Sequence, residues 1–133
     1  MPIRLLHLGV GVRGRHWLEI VARHPDFVSA GCVDKSETAL QEARRQPGQE
    51  HGNFFTSFEE GLARAGADAV LIASPTSLHA QHARQALDAG LPVLVEKPLA
   101  ATLEDAVRLV GHSRAASRPV MVAENYRFYQ AER

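Results

Sequence analysis

Three glycines near the start of the chain have a spacing that suits phosphate binding. Gly9, Gly11 and Gly14 form the pattern G-x-G-x-x-G directly after an apolar run, Ile3–Leu8. In this spacing the first glycine permits a tight turn, the second lets the backbone approach a pyrophosphate, and the third lets a helix pack closely on a strand. Helix-forming residues follow at once, so unpaired N–H groups and the positive end of a helix dipole would face the phosphates.

An acidic residue completes the pattern. Asp34 lies 20 positions after Gly14, at the end of the apolar run Phe27–Val33. The glycines alone would fit a turn in any α/β protein, whereas glycines followed by an acid at the end of the next strand are typical of dinucleotide binding. The Asp34 carboxylate favours the free ribose hydroxyl of NAD, because it would repel a 2′-phosphate. Lys35 and Arg13 offer cations to such a phosphate, so NADP stays open and NAD is slightly preferred.

Short apolar runs and helix-period segments alternate along the chain and predict the elements that position these residues. Strands are expected at Ile3–Leu8, Phe27–Val33, Asn53–Thr56, Ala69–Ala73, Val93–Val95 and Val120–Ala123. Helices are expected at about Gly14–His24 and Ser36–Gln46, from a capping box at Ser57 and Glu60, at Ser77–Ala89, and from Thr102. Apolar helix faces are expected at Trp17, Ile20, Val21 and His24, at Phe58, Gly61, Leu62 and Ala65, and at Leu103, Ala106, Val107 and Val110.

Six strands with intervening helices predict an α/β fold with a doubly wound parallel sheet of the Rossmann type, in the order 3-2-1-4-5-6. The ligand crevice of such a sheet lies outside the carboxyl ends of strands one and four, where the order reverses. All the polar residues of interest follow a predicted strand, so one shared site is expected.

Composition limits the kinds of partner. The chain has 133 residues and a formal net charge of zero, which fits one domain and gives no indication of nucleic-acid or membrane binding. Its single cysteine, Cys32, is expected to be a core residue of a strand and allows no internal disulfide. Because no leader or membrane-length apolar run precedes the first strand, we expect a cytoplasmic protein.

Four separated segments resemble one family of oxidoreductases. The run Val93–Ala100, V-L-V-E-K-P-L-A, is similar to the signature of the glucose-fructose oxidoreductase, inositol 2-dehydrogenase and rhizopine-catabolism dehydrogenase family. Gly9–His16 resembles the family's nucleotide loop, Ala73–His79 its loop after strand four, and Asn125–Phe128 the segment that follows its sixth strand.

The resemblance implies NAD(P)-dependent oxidation of an alcohol, often a sugar or polyol, and it implies roles for individual residues. Lys97 would assist proton transfer and hold the reacting hydroxyl close to the nicotinamide, and its bond to Pro98 would be cis. The other cofactor-binding residues implied are Gly9, Gly11, Val12, Arg13 and Gly14 at the pyrophosphate, Asp34 and Lys35 at the adenosine ribose, Ser74, Pro75, Thr76 and His79 along the middle, and Glu96 near the nicotinamide ribose.

Several residues keep open interpretations. His16 is either a surface residue or a phosphate contact. His79 and His82 are three apart on one predicted helix, but the sequence supplies no obvious third metal ligand, so no metal site is expected. Tyr126, Phe128 and Tyr129 could form a stacking surface, and an interface is the preferred interpretation.

The resemblance also implies a domain organisation. Residues 1–124 would be the dinucleotide-binding domain, and residues 125–133 would begin the connection to a substrate domain that the chain lacks. We therefore expect nucleotide binding without efficient turnover, and self-association through the uncovered apolar surface. A non-catalytic sensor or scaffold module is the alternative, and a methyltransferase using S-adenosylmethionine ranks last, because neither needs the segment Glu96–Pro98.

Overall fold

Six parallel strands form one sheet within residues 1–130, the part of the chain that the computed structural model describes. The strands are β1 (Ile3–Leu8), β2 (Phe27–Val33), β3 (Phe54–Phe55), β4 (Ala69–Ile72), β5 (Val93–Glu96) and β6 (Val120–Ala123). Their order is β3-β2-β1-β4-β5-β6, which confirms the predicted fold class and topology.

Five α-helices connect these strands in the same part of the chain: α1 (Val12–Arg23), α2 (Glu37–Arg44), α3 (Phe58–Arg64), α4 (His79–Asp88) and α5 (Leu103–Ala116). Two short 3-10 turns occupy Thr76–Leu78 and Asn125–Phe128. None of the described helices has the length and apolar character needed to cross a membrane. The helix α1 begins two residues earlier than predicted, inside the glycine pattern, because Gly11 already serves as its N-cap.

Hydroxyl side chains fix the starts of three helices. Ser36, Ser57 and Thr102 each accept a hydrogen bond from the backbone N–H three residues further along. The capping box predicted at Ser57 forms only by half. The carboxylate of Glu60 pairs with Arg64 one turn further on instead of returning to the start of the helix.

The two faces of the sheet are covered by different helices. Leu6, Leu8, Val70, Ile72 and Val95 pack under α3, α4 and α5. On the opposite face α1 and α2 cover β1 and β2, with Leu5, Leu18, Val21, Cys32 and Leu40 buried between them. The predicted core position of Cys32 is confirmed, and burial raises the pKa of its thiol to about 12.

The predicted apolar face of α5 is wrong. Leu103, Val107 and Val110 are exposed, whereas Leu109 is buried and Ala116 packs beside it. The helix lies against α4, and Leu109 shares a core cluster with Ala83 and Ala86 of that helix. Periodicity predicts burial of the stripe with the larger aliphatic side chains. In the structure, the stripe that contains Leu109 is buried instead, because that side of α5 contacts α4.

The predicted face of α1 is only partly correct. Leu18 and Val21 are its buried apolar side chains, whereas Ile20 is exposed. On this side Val21 of α1 packs with the buried Leu71 of β4, whereas Leu94 of β5 is only half-buried and Met121 of β6 is exposed. Trp17 and Ile20 therefore line an apolar groove of about 440 Å³ together with Leu94 and Met121. We refer to this cavity as the sheet groove.

His7 is a polar residue inside the core. It lies in β1 between Cys32 and Leu71 of the neighbouring strands and is fully buried. Neither ring nitrogen has a hydrogen-bond partner among residues 1–130. Burial lowers the pKa of His7 from an ordinary value of 6.5 to about 4, because the charged form loses its hydration.

The burial of His7 predicts a loss of stability in mild acid. As the pH falls below 6.5, the unfolded chain takes up a proton at His7 before the folded chain does. This difference in proton uptake lowers the free energy of unfolding by about 2 kcal/mol between pH 7 and pH 5. We expect the urea midpoint of His7→Leu to depend less on pH over this range than that of the unaltered chain. The exposed His16→Gln control should retain the original dependence, and an unchanged pH profile in His7→Leu would contradict the assignment.

Candidate functional site

The loop between β1 and α1 is built on very close backbone contacts. Gly9 has φ +87°, and a Cβ there would lie 2.7 Å from the carbonyl of Ala73. A Cβ on Gly14 would lie 2.0 Å from the carbonyl oxygen of Gly9. Neither position tolerates a side chain, so these two glycines set how closely α1 packs on the end of β1.

Gly11 differs from its two neighbours in the pattern. A Cβ built on Gly11 would meet no atom within 4 Å, so open space lies directly beside the backbone. The first turn of α1 follows, and helix N-termini present N–H groups without helical partners. Open space beside such N–H groups fits the pyrophosphate of a dinucleotide.

Asp34 connects the glycine loop after β1 to the loop between β2 and α2 through two hydrogen bonds. One carboxylate oxygen accepts a hydrogen bond from the Val10 N–H at 2.9 Å, and the other accepts one from the Ser36 N–H at 2.9 Å. The carboxylate is therefore held between the glycine loop and the start of α2. It borders the cavity described next.

A cavity of about 210 Å³ lies beyond the ends of β1, β2 and β4. Its walls include five residues predicted from the sequence, Gly9, Asp34, Lys35, Ser74 and Pro75, and also Leu8, Val33, Thr56, Phe58, Leu78 and His82. Most of these walls are apolar, with one carboxylate and one ammonium group at the rim. We refer to this cavity as the first cavity.

His82 lies in the wall of the first cavity. Its Nδ1 is 2.9 Å from the Ser74 hydroxyl, and its ring meets the edge of the Phe58 ring. Burial, followed by the positive charges of Lys35 and His79, lowers the pKa of His82. The neutral imidazole is therefore favoured at this position.

A second, more polar cavity of about 340 Å³ lies beyond the ends of β4 and β5. It is lined by predicted residues, Arg13, Ser74, Thr76, His79, Glu96 and Lys97, together with Ala73 and Asn125. Ser74 borders both cavities, so they adjoin along one edge of the sheet. The structure thus brings together nearly all the residues that the sequence places at strand ends.

Glu96 is a buried carboxylate held by two side chains of α1. Its Oε1 atom accepts hydrogen bonds from Arg13 Nε at 2.5 Å and from Trp17 Nε1 at 2.7 Å. The two donors are one helical turn apart, so they reach the same oxygen. Both hydrogen bonds use Oε1, and the carboxylate borders the second cavity.

Lys97 follows Glu96 and reaches the mouth of the second cavity. The Lys97–Pro98 peptide bond is cis, as the family resemblance implied. The Nζ atom lies 4.0 Å from Glu124 Oε1 and 4.3 Å from the centre of the Tyr126 ring. The ammonium group is thus placed by a carboxylate and an aromatic face, and it remains partly exposed.

His79 is buried at the start of α4 and has both ring nitrogens engaged. Nε2 lies 2.8 Å from the Ser74 carbonyl oxygen, and Nδ1 lies 2.8 Å from the Pro98 carbonyl oxygen. The ring therefore spans the loop after β4 and the loop after β5. It forms part of the wall of the second cavity.

Two predicted contacts lie away from these cavities. The Val12 side chain is largely exposed at the start of α1, and His16 is also exposed. Residues 131–133 of the predicted connecting segment lie outside the described residues. Within residues 1–130, no group of three or more His, Cys, Asp or Glu side chains is arranged to hold a metal ion.

Sequence reasoning missed several side chains that shape the site. Phe58 and Leu78 line the first cavity, and Trp17 holds Glu96. Phe58 follows closely on β3 and Leu78 follows β4, so the rule that residues after strand ends face the crevice could have found them. Trp17 had no comparable signal, because its partner is 79 positions away.

The fold and the geometry of the glycine loop define a dinucleotide-binding domain. A family described as "Oxidoreductase family, NAD-binding Rossmann fold" matches residues 3–124. The chain belongs to that family, and it is an NAD-binding Rossmann domain.

The chain is similar to several characterised relatives. It is 34% identical over 130 residues to inositol 2-dehydrogenase 1 of Saccharopolyspora erythraea, covering 92% of this chain and 36% of that protein. It is 46% identical over 125 residues to a dTDP-3,4-didehydro-2,6-dideoxy-alpha-D-glucose 3-reductase of Streptomyces violaceoruber, covering 91% of this chain and 36% of the reductase. The chain thus spans a little over a third of the length of these curated relatives.

A solved structure shows the same fold with a dinucleotide bound. The WlbA dehydrogenase from Bordetella pertussis, in complex with NADH and UDP-GlcNAcA, matches with a TM-score of 0.89 and 30% sequence identity. The match covers 99% of this chain and 40% of the dehydrogenase chain.

The close contact at Gly14 predicts a large effect of a single methyl group. Gly14→Ala should destabilise the chain by about 3 kcal/mol or more, because the new Cβ would overlap the Gly9 carbonyl and push α1 off the sheet. Gly111→Ala in α5 is the matched control, since nothing lies within 4 Å of its Cβ position. Urea unfolding should show a neutral or stabilising effect at Gly111. Equal midpoints for the two variants would refute the packing argument.

Proposed function

We propose that this chain is the cofactor-binding part of an oxidoreductase that transfers a hydride between a nicotinamide cofactor and an alcohol. The observation that carries the proposal is the open space beside Gly11 at the start of α1, flanked by one cavity at Asp34 and another at Lys97. Family membership and the NADH-bound relative support it.

In this proposal, each group of residues at the carboxyl edge of the sheet binds a different part of the cofactor. The glycine loop, with Val12 and Arg13, binds the pyrophosphate through backbone N–H groups. The first cavity takes the adenosine, with Asp34 and Lys35 at its ribose. Ser74, Pro75, Thr76 and His79 border the middle of the cofactor, and Glu96 lies near the nicotinamide ribose.

The chemistry divides between the cofactor and one side chain. The nicotinamide, when bound, accepts or supplies the hydride. Lys97 holds the substrate hydroxyl in the second cavity; as a neutral amine it receives the hydroxyl proton during oxidation, and as an ammonium group it returns that proton during reduction. Glu124 and the Tyr126 ring place the Lys97 ammonium group. Glu96 is bonded to Arg13 and Trp17 of α1, so the carboxylate that faces Lys97 is that of Glu124.

The site favours NAD over NADP in our proposal. Both carboxylate oxygens of Asp34 accept backbone hydrogen bonds, which hold the negatively charged carboxylate in place at the rim of the first cavity. A 2′-phosphate placed there would meet that negative charge. Lys35 lines the same cavity and is the residue that would offset the repulsion.

The substrate class and setting of the whole enzyme are also proposals. Relatives that act on inositol and on nucleotide-linked sugars support a sugar or polyol. We propose that residues 1–124 form the cofactor domain and that residues 125–133 begin a connection to a substrate domain. The chain alone would then bind cofactor without efficient turnover. The single buried cysteine supports a cytoplasmic setting.

The first test is a titration of the chain with NADH, followed by energy transfer from Trp17. This residue is the chain's one tryptophan, and its indole N–H contacts Glu96 in the site. We expect saturable transfer from Trp17 to the bound nicotinamide. Gly11→Ala should weaken binding at least about tenfold, because its methyl group enters the phosphate space. Gly111→Ala should bind as the unaltered chain does.

The same titration with NADPH tests the cofactor preference. Asp34→Ala should lower the affinity for NADH and narrow the difference between the two cofactors, whereas Lys35→Ala should lower the affinity for NADPH alone. Circular dichroism must first show that both variants are folded, since Asp34 also holds two loops. No saturable transfer with either cofactor from the folded, unaltered chain would overturn the proposed function.

The exposed aromatic cluster predicts self-association. Tyr126, Phe128 and Tyr129 are each more than half exposed, and the stripe Leu103, Val107 and Val110 of α5 is exposed as well. We expect light scattering to show a mass that rises with protein concentration. Replacing Phe128 and Tyr129 by serine should lower it. A monomer mass at every concentration would contradict this prediction.

A further inference from the structure

The position of His79 between two backbone carbonyls points to a role that neither the fold nor the comparisons assign. We propose that His79 is a buried imidazolium that bridges the loop after β4 and the loop after β5, and that it thereby positions Lys97 relative to the cofactor-binding edge. The protonation state stands on geometry alone, whereas the positioning of Lys97 rests on the proposed function.

The donor and acceptor chemistry of the contacts carries the first step. A carbonyl oxygen only accepts hydrogen bonds, and a neutral imidazole has one N–H and one bare nitrogen lone pair. Both ring nitrogens of His79 lie 2.8 Å from carbonyl oxygens, of Ser74 and of Pro98. In either neutral tautomer one lone pair would face a carbonyl oxygen at this distance. Only the doubly protonated ring satisfies both contacts.

Two effects oppose a charge at this position. The ring is buried, and burial penalises an ion. His79 also begins α4, where the positive end of the helix dipole disfavours a cation. Two charge-assisted hydrogen bonds to carbonyl oxygens act against these effects. The neutral ring would lose one of these bonds and place a lone pair against a carbonyl oxygen.

The neighbouring charges are arranged to tolerate a cation. Glu96 lines the same cavity and supplies negative charge, which Arg13 shares. Lys97 also lines this cavity, but its ammonium group turns towards Glu124. On α4 itself, the positive charge of His79 contributes to the lowered pKa of His82, after burial and the charge of Lys35.

The two bridged loops are the ones that the proposed reaction must hold together. Ser74 borders both the first and the second cavity, so its loop contacts the whole length of the bound cofactor in the proposed function. Pro98 directly follows Lys97. A ring that binds the carbonyls of Ser74 and Pro98 therefore fixes the distance between the cofactor loop and the lysine loop. His79 itself has no free ring nitrogen for substrate, so it acts as a positioning residue.

The protonation state is tested on the unaltered chain without cofactor. Long-range ¹H–¹⁵N NMR spectra of the imidazole rings distinguish a doubly protonated ring from either neutral tautomer. The chain has seven histidines, and the His79 signals are those missing from His79→Gln. We expect both His79 ring nitrogens to carry a proton in this spectrum. One unprotonated ring nitrogen at pH 7 would overturn the imidazolium.

The positioning role is tested with labelled lysines. The chain contains only two, Lys35 and Lys97, and they line the first and the second cavity respectively. Reductive ¹³C-methylation keeps their charge and gives each a separate NMR signal. In the unaltered chain, NAD⁺ should shift both signals. In His79→Gln the Lys35 shift should persist at higher NAD⁺ concentration, whereas the Lys97 shift should be lost, and the Kd for NAD⁺ should rise about tenfold.

The outcomes separate this inference from the proposed function. His112→Gln is the matched control, because it removes a helical histidine with one side-chain hydrogen bond, to Asp88, outside the site. Its lysine shifts and Kd should equal those of the unaltered chain. If NAD⁺ shifts neither lysine in the unaltered chain, the proposed function fails while the ring spectrum still decides the protonation state. If a folded His79→Gln variant has the same Kd for NAD⁺ and the same Lys97 shift as the unaltered chain, the positioning role is overturned. If the glutamine variant does not fold, His79→Asn takes its place in the same measurement.

Discussion

The contact between α1 and the end of β1 is the constraint on which the rest of the site depends. A single Cβ at Gly14 would overlap the Gly9 carbonyl, so the helix lies as close to the strand as a backbone allows. This closeness puts the first turn of α1 at the edge of the sheet, beside the open space at Gly11. It also sets the height of Arg13 and Trp17 above β5, and therefore the position of the Glu96 carboxylate.

Carboxylates at this edge are held in place by hydrogen bonds. Asp34 accepts hydrogen bonds from two backbone N–H groups. Glu96 accepts hydrogen bonds from an arginine and an indole N–H on one oxygen. His7, in contrast, is buried without a partner among the described residues and is neutral for that reason. The same sheet thus carries charged groups at its carboxyl edge and an uncharged histidine at its centre.

The sequence predicted the structure well where a residue type is needed for a local physical reason, such as a tight turn or a buried strand. The glycine spacing, the acid after β2 and the apolar runs of β4 and β5 each have a local physical cause, and they predicted the strand order and most residues that line the two cavities. The faces of α1 and α5 were predicted less well. Periodicity shows that a helix has an apolar stripe, but the choice between neighbouring stripes depends on which helix packs against it, and in α5 that choice buried Leu109.

Long-range partners explain the remaining differences. Glu60 was expected to complete a capping box, yet Arg64 lies one turn away and offers a full charge instead of an N–H dipole. Trp17 was interpreted as part of an apolar face, and its ring does line the sheet groove. Its N–H nevertheless points the other way, to Glu96. Since one rigid indole contacts both the sheet groove and the Glu96 carboxylate, any group that packs in this groove meets the side chain that holds Glu96. The sheet groove and the polar edge are therefore linked through a single residue of α1.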